Sequence, residues 1–578
     1  MQSIRRLLAA VALIGLIGAT PAPSGSGTAD ANAQFETLAH DFFYWGFKES
    51  PTQATAVGVH TYDSQLDDIS PAAVARRDAT LDDYLAKFQA IDPAALTADD
   101  ALDRTLVMNA IQDSLLSDRT LQDWKHNPDM YTGLASGSVF LLIARNFAPL
   151  ATRMKDAIAR EHAIPAMLAQ AKTNIVSVDA MTQQIAAEQA QGGVGFFAQT
   201  VPQAFAAVKD AALQAQLKSA NAAAMKALQS YASWIGTLKP KGTFAIGKDA
   251  YEKKLQYEDA LTMPVEQYLS YGEKALAQTR AQYIATARKI DPKKTPQEVF
   301  ASLAKSYPPP SQLLAKAASD LTRLRAFVIS HHIITMPPDA NIQVIQTPPF
   351  ERAFITAAED SPGALETVAK QAYYYVTPPD PKWPPARTAG FMAQFNNYQF
   401  PIISAHEVYP GHFTNFAFDR HLELSLTRKL MFSSEFAEGW AHYSEQMMVD
   451  EGWGNGDPKV RLAQLEEALL RECRYVVGVK LHTAGWTIKQ AERLFETQCF
   501  QPPAVALEES MRGTQDPMYG YYTLGKLMIL KLREDYRKKM GSAYTLEKFH
   551  DALLSHGDPP LPLLRPFILG SSDDGKPL

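Results

Sequence analysis

The sequence predicts a mainly α-helical protein that carries a small β-sheet. Residues 81–88, 166–187 and 204–238 are rich in Ala, Gln and Leu, with apolar residues at helical spacing. Only two short runs read as strands: Ile342–Gln346, which partly alternates, and Ala372–Val376, which is aromatic and ends on a β-branched residue. The composition is that of an ordered globular chain, 46% hydrophobic and 20% charged over 578 residues. That length can bury a sizeable core and by itself suggests two to four domains. The Ala-rich stretches point to close helix packing, and no fixed period marks a repeat array.

From the N-terminus, Arg5 and Arg6 precede the apolar run 7–17, which is too short to span a bilayer comfortably. We read residues 1–33 as a signal peptide, with Ala31-Asn32-Ala33 as a cleavage site before Gln34. That site lies far from the apolar run, so an earlier cut or an uncleaved anchor stays open. No Cys follows the run closely, which argues against a lipoprotein. Nothing later approaches the length of a membrane-spanning segment. The expectation is an exported protein, periplasmic or secreted, with no integral membrane segment after signal removal. The net charge of −6 and the lack of a long basic run argue against a nucleic-acid partner. Breaks at 238–244, 307–310 and the Pro-rich 377–387 suggest a helical N-terminal region, 34–350, and a catalytic region, 351–578.

The chemistry is concentrated in His406-Glu407-Val408-Tyr409-Pro410-Gly411-His412. In the H-E-x-x-H helix of zinc hydrolases the two His lie four apart, about 40° around the axis, and meet one metal. Here the second His is six along, roughly 240° round a regular helix. Proline cannot continue the hydrogen-bond ladder and glycine accepts angles that other residues avoid. A break at Pro410 and Gly411 would swing His412 back beside His406.

Glu435-Phe436-Ala437-Glu438-Gly439-Trp440-Ala441-His442-Tyr443-Ser444-Glu445 follows, with helical composition. Two His and a carboxylate with an open position for water form the ligand set of catalytic zinc. Glu438 is the preferred third ligand; Glu435 or His442 could replace it or orient the ligands as outer partners. Glu407 would be the general base. A lone helical His is more often structural than a ligand, and short H-E-x-x-H matches arise by chance. Against that, five of the thirteen His fall within residues 406–482, and the Glu-rich helix stands at a workable distance.

These stretches resemble the bacterial proteins catalogued as domain of unknown function 885, with their H-E-x-x-P-G-H signature followed by E-G-W-A-x-Y-x-E. The resemblance extends to Phe43-Tyr44-Trp45, Ser50-Pro51-Thr52-Gln53-Ala54-Thr55 and Gly58-Val59-His60 near the start. It continues in Leu481-His482-Thr483-Ala484-Gly485-Trp486-Thr487 and Tyr522-Thr523-Leu524-Gly525-Lys526. It implies a mainly helical, zincin-like metallohydrolase with a small edge sheet, one Zn2+ per chain on His406, His412 and Glu438, and an edge strand that binds extended peptide. Asn415 stands where the family usually has Gln, which puts a helix-face contact in doubt. Matches to family motifs also make Tyr522 and His482 the candidate transition-state donors. A packing role is the alternative for Tyr522. Arg512 can bind a substrate carboxylate, or else form an ordinary ion pair.

Cys473 and Cys499 flank a helix–helix turn with Thr487 as N-cap. They form a disulfide if that hairpin brings them together, and otherwise stay two buried thiols. The function expected from all this is an exported zinc-dependent peptidase acting on short peptides. A metal-dependent amidase on a non-peptide or cell-wall amide, or a catalytically silent binding or scaffold protein, are the alternatives. Ligand type favours zinc, although affinity order alone does not exclude cobalt or nickel.

Overall fold

The computed structural model describes residues 26–338, 340–348, 352 and 355–578. The apolar run 7–17 lies outside the described residues. The expected cleavage site, Ala31 to Ala33, falls within the first described helix, Ser26–Glu49. The chain is mainly helical with one three-stranded sheet, and it divides into two units.

The first unit contains the described residues up to Phe244, together with Pro362–Lys370 and Leu424–Met431. Helices Asp129–Ala144, Leu150–Asn174, Ala180–Gly195 and Ala211–Thr237 pack on one another around Tyr131, Val139, Leu168 and Leu228. Ala157, Ala171, Ala186, Ala190, Ala220 and Ala224 are fully buried among them, which is the close helix packing that the Ala-rich composition predicts. The pattern at 166–187 is interrupted, however. Asp179 accepts hydrogen bonds from the Met181 and Thr182 N–H groups and starts a new helix. Around a second apolar cluster of Phe43, Phe47, Phe88 and Val107, the Ser50 to Thr55 stretch proves structural. Ser50 Oγ and Thr52 Oγ1 both donate to Asp67, and Thr55 Oγ1 donates to Asp63.

The second unit contains Ala245–Ser361, Gln371–Glu423 and Phe432–Leu578. The two compact units divide after Phe244 and do not coincide with the two regions expected to meet near residue 350. The units part at the 238–244 break, because the helices from Lys248–Asp259 onward pack on the same core as the segment that carries His406 and Glu438. The Pro-rich stretch 377–387 lies inside this unit. Both expected strands form at the residues named: β1, Ile342–Gln346, and β3, Ala372–Val376. A third strand, Ala357–Asp360 (β2), completes the sheet in the order β1-β3-β2, with β1 parallel and β2 antiparallel to β3. Its Ala-Ala-Glu-Asp sequence carries no β-branched or aromatic residue to announce it.

Helices Val265–Ile290 and Pro458–Thr483 pack along each other, as do Ser434–Asp450 and Tyr521–Met540. The second pair meets backbone to backbone: a Cβ on Gly525 would lie 1.9 Å from the Glu435 carbonyl oxygen, and one on Gly439 would lie 2.5 Å from Gly525 Cα. Cys473 and Cys499 are joined in a disulfide, both fully buried, across a hairpin whose second helix is capped by Thr487. No helix among the described residues is long and apolar enough to cross a membrane.

Candidate metal centre

The helix carrying His406 does break. Phe400–Glu407 ends, Val408 leaves helical geometry, a cis Tyr409–Pro410 bond follows, and a new helix runs His412–Asp419. Gly411 is required for close approach: its N–H donates to the Ala405 carbonyl at 2.9 Å, and a Cβ there would sit 1.8 Å from the His406 oxygen. Thr414 pins the other side, its Oγ1 donating to the Val408 carbonyl at 2.9 Å. Trp440, fully buried and no substrate platform, donates its indole N–H to the Pro410 carbonyl at 2.8 Å. The result places the two imidazoles perpendicular, with ring centroids 4.8 Å apart.

Glu438 enters from helix Ser434–Asp450, whose N-cap is Ser433. Its Oε2 lies 3.4 Å from His406 Nε2 and 3.2 Å from His412 Nε2, but neither contact has hydrogen-bond alignment. Ligand atoms about 2.0–2.1 Å from a tetrahedral zinc would be roughly 3.3 Å apart; both Glu438 separations match this, and all three donor atoms lie within 4.8 Å of one another. His406, His412 and Glu438 are the group of metal-ligating side chains that converges in this way among the described residues.

The outer groups hold this arrangement. His406 Nδ1 donates to Glu445 Oε1 at 2.7 Å, which leaves Nε2 to face Glu438. Burial and the Arg471 guanidinium pull the His406 imidazole down, but the neighbouring Glu438 and Glu445 carboxylates raise it to about 9. Burial works against ionisation of Glu438, yet His412 and His406 hold it well below the usual carboxylate range. Glu445 is likewise held low, against burial, by Arg471, His442 and His406. Burial and Lys526 push His442 down to about 3, so its ring is neutral beside Glu445.

The remaining candidates separate. Glu407 reaches the sheet: its Oε2 accepts the Glu359 N–H at 2.9 Å, so β2 turns its free edge toward Glu407. Tyr522 stands beside His406, ring centroids 6.4 Å apart, and its hydroxyl accepts from Arg512 Nη2 at 3.2 Å. Glu435 is not brought to the group. Its Oε2 accepts from the Leu561 N–H and the Ser433 hydroxyl, and burial pushes it up to about 8. His482 is not brought there either. It lies eleven residues beyond Arg471 on helix Pro458–Thr483, about 16 Å of rise, and its Nε2 bonds to the Gly513 carbonyl at 2.8 Å. The helix-face contact at Asn415 exists: its Nδ2 donates to both Asp558 oxygens, at 2.9 and 2.8 Å. Sequence reasoning gave no role to Arg471, Glu359 or Asp558, whose parts depend on contacts far apart in the chain.

The model of the family described as "Bacterial protein of unknown function (DUF885)" matches residues 51–568, and the chain belongs to that family. Two solved structures are similar to it. One is a "putative lipoprotein of unknown function" from Shewanella oneidensis, 25% identical with a TM-score of 0.78, covering 93% of this chain and 99% of that one. The other is a "putative lipoprotein" from Colwellia psychrerythraea, 18% identical with a TM-score of 0.78, covering 95% of this chain and 100% of that one. No curated protein matches the chain.

Proposed function

We propose that the chain is an exported, zincin-like, zinc-dependent hydrolase that cleaves short peptides. The observation that carries this reading is the Glu438 oxygen poised between two imidazole Nε2 atoms without hydrogen-bond alignment, with Glu407 next in sequence to one of them. His406, His412 and Glu438 would hold the ion. Bound zinc would polarise the scissile carbonyl and lower the pKa of water. Glu407, oriented by the Glu359 N–H, takes the proton from the attacking water and passes it to the leaving amine. Tyr522 accepts its hydrogen bond from Arg512, which leaves its own O–H to donate toward the developing oxyanion.

An edge strand for extended substrate was sought in β1 and β3. β3 is paired on both sides and cannot serve, whereas β2 is an edge strand already in contact with the base. Export is read from the apolar run 7–17. It agrees with the lipoprotein descriptions of the structural neighbours, although both cysteines of this sequence lie in the disulfide.

Elemental analysis of protein purified without added metal should find about one zinc per chain, lost in His412→Ala. Glu407→Gln should keep the metal and lose peptide turnover by at least about 100-fold. A metal-free wild type would overturn the metal centre, full zinc in His412→Ala would remove that ligand, and unchanged turnover in Glu407→Gln would remove the base. Turnover of non-peptide amides alone would move the assignment to an amidase. Full metal without any turnover would leave a binding protein.

A further inference from the structure

Three arginines surround Tyr522. The Arg471 and Arg474 guanidinium carbons lie 5.5 and 5.3 Å from its ring centroid, and Arg512 donates to its hydroxyl. Two of the three are neutralised within the protein. Arg471 pairs with Glu467 at 2.5 Å and Glu445 at 3.2 Å. Arg474 grips Glu509 through two parallel contacts of 2.7 Å, and Glu509 also accepts the Tyr519 hydroxyl.

Arg512 differs. Its guanidinium stands over the Tyr519 ring at 5.0 Å, its hydrogen bond goes to the neutral Tyr522 phenol, and no carboxylate among the described residues forms an ion pair with it. The ordinary ion pair that the sequence allowed is therefore absent. Arg512 helps to hold Glu509 low, but Arg474 already grips that carboxylate, so the half-buried Arg512 guanidinium has no carboxylate of its own in contact to offset its partial desolvation. The residue is nonetheless held firmly in place, because His482 fixes the adjacent Gly513 carbonyl at 2.8 Å.

We propose that Arg512 supplies the recognition point for the free C-terminal carboxylate of the substrate, so that this protein cleaves from the C-terminal end of short peptides. The assignment rests on the metallohydrolase reading of the same site. A planar guanidinium matches a carboxylate in bidentate fashion. Tyr522 touches both Arg512 and His406: its hydroxyl accepts from Arg512 at 3.2 Å, and its ring centroid lies 6.4 Å from that of the first metal ligand. That spacing fits the terminal carboxylate of the residue being released, with the scissile carbonyl between Tyr522 and the metal ligands. An interior bond of a long chain would leave the cation unmatched.

The test uses the full chain, zinc-loaded, in the Glu407→Gln background so that bound peptide persists. Three tripeptide libraries serve as probes: free acids, the same peptides as C-terminal amides, and amides ending in Asp or Glu. Free acids should be retained roughly 10- to 100-fold better than plain amides, as a charged hydrogen-bonded pair allows. Arg512→Gln should abolish that preference and Arg512→Lys should keep part of it. The wild-type preference and the Lys variant keep the proposal testable if the Gln variant fails to fold. Equal retention of acids and plain amides, no retention of acids, or an unchanged preference in Arg512→Gln would overturn it. Retention of Asp- and Glu-ending amides at the level of the acids would reassign Arg512 to a side-chain carboxylate and overturn C-terminal cleavage. Turnover in the otherwise wild-type chain separates the two readings. Amides hydrolysed as well as acids would sink this proposal and leave the hydrolase, whereas acids bound but never hydrolysed would sink the hydrolase and leave the carboxylate site.

Discussion

Two buried clusters, one in each unit, hold their charged side chains in opposite ways. In the first, Arg160 and Glu161 are consecutive and both fully buried. Arg160 meets only neutral acceptors: the carbonyls of Gln65, Ser138 and Pro51, and the Thr55 hydroxyl. Burial lowers it to about 10, and burial raises Glu161 to about 9, which makes Glu161 a neutral acid at pH 7. In the second unit Glu445 is just as buried, yet Arg471, His442 and His406 keep it ionised. Burial alone therefore does not mark a site. What distinguishes the second cluster is that Glu438 and Glu445 stay ionised and converge with His406 on one point, and such convergence needs backbone placed to a fraction of an ångström.

The largest effect should come from disturbing that placement. Gly525→Ala puts a Cβ 1.9 Å from the Glu435 carbonyl, a rigid backbone atom one turn before Glu438. We expect a loss of more than about 4 kcal/mol, or failure to fold, with zinc binding abolished. The counterpart in the first unit, Gly193→Ala, meets only side-chain atoms, Ser136 Oγ at 2.9 Å and Leu228 Cδ1 at 3.2 Å. Alanine also favours a helix by about 1 kcal/mol over glycine, so the variant should stay within about 1 kcal/mol of wild type. Urea unfolding with zinc content checks both, and similar losses in the two would erase the contrast.

Next in size is the disulfide, which closes a loop with a sequence separation of 26 in the second unit. Loop-closure entropy puts its contribution at roughly 3.5 kcal/mol. In a Cys473→Ala, Cys499→Ala variant, hydrogen exchange should accelerate along Pro458–Thr483 and Ile488–Gln498 and stay unchanged along Ala211–Thr237 of the first unit. Uniform acceleration in both would mean that the units do not unfold separately.

How much of this the sequence disclosed depends on whether the signal was local. His406, His412 and Glu438 were legible because a Pro-Gly pair sits between two His at a spacing that only a broken helix reconciles. β1 and β3 were legible from aromatic and β-branched residues, whereas β2, with its Ala-Ala-Glu-Asp sequence, was not, although it is the strand that touches Glu407. The boundary after Phe244 was hidden because it depends on which core residues 245–350 join. The surroundings of His482 were hidden for a related reason. A family signature marks a residue as important, and here the importance is a buried hydrogen bond to Gly513 on the helix that bears Arg512. Arg471 and Asp558 act through partners distant in sequence, for which no spacing rule exists.

The smallest effect belongs to the one imidazole of the first unit held between two carboxylates. His60 Nδ1 lies 3.0 Å from Asp63 Oδ2 and Nε2 lies 3.1 Å from Glu366 Oε2, with the ring stacked 3.7 Å from Phe147. Burial lowers the His60 pKa, but the hydrogen bonds and charges of Asp63 and Glu366 outweigh it and raise the value above 6.5. A raised histidine stabilises fully below its unfolded pKa, and the gain disappears as pH rises through the folded value. Glu366 is shifted the other way. Burial raises it, but the Val368 and Ala369 N–H groups and His60 lower it below 4.5, so its contribution fades as pH falls through the acid range. The contact should thus be strongest between about pH 4.5 and 6.5 and weaken above neutrality. Hydrogen exchange along Pro362–Lys370 should be slower at pH 5.5 than at pH 8.5, after correction for intrinsic rates, and the difference should vanish in His60→Gln. Because the His60 side chain is 26% exposed, solvent screens the pair and the change should be modest. A difference that persisted in His60→Gln would place the titrating group elsewhere, with the nearby Asp156, raised chiefly by burial, the next to vary.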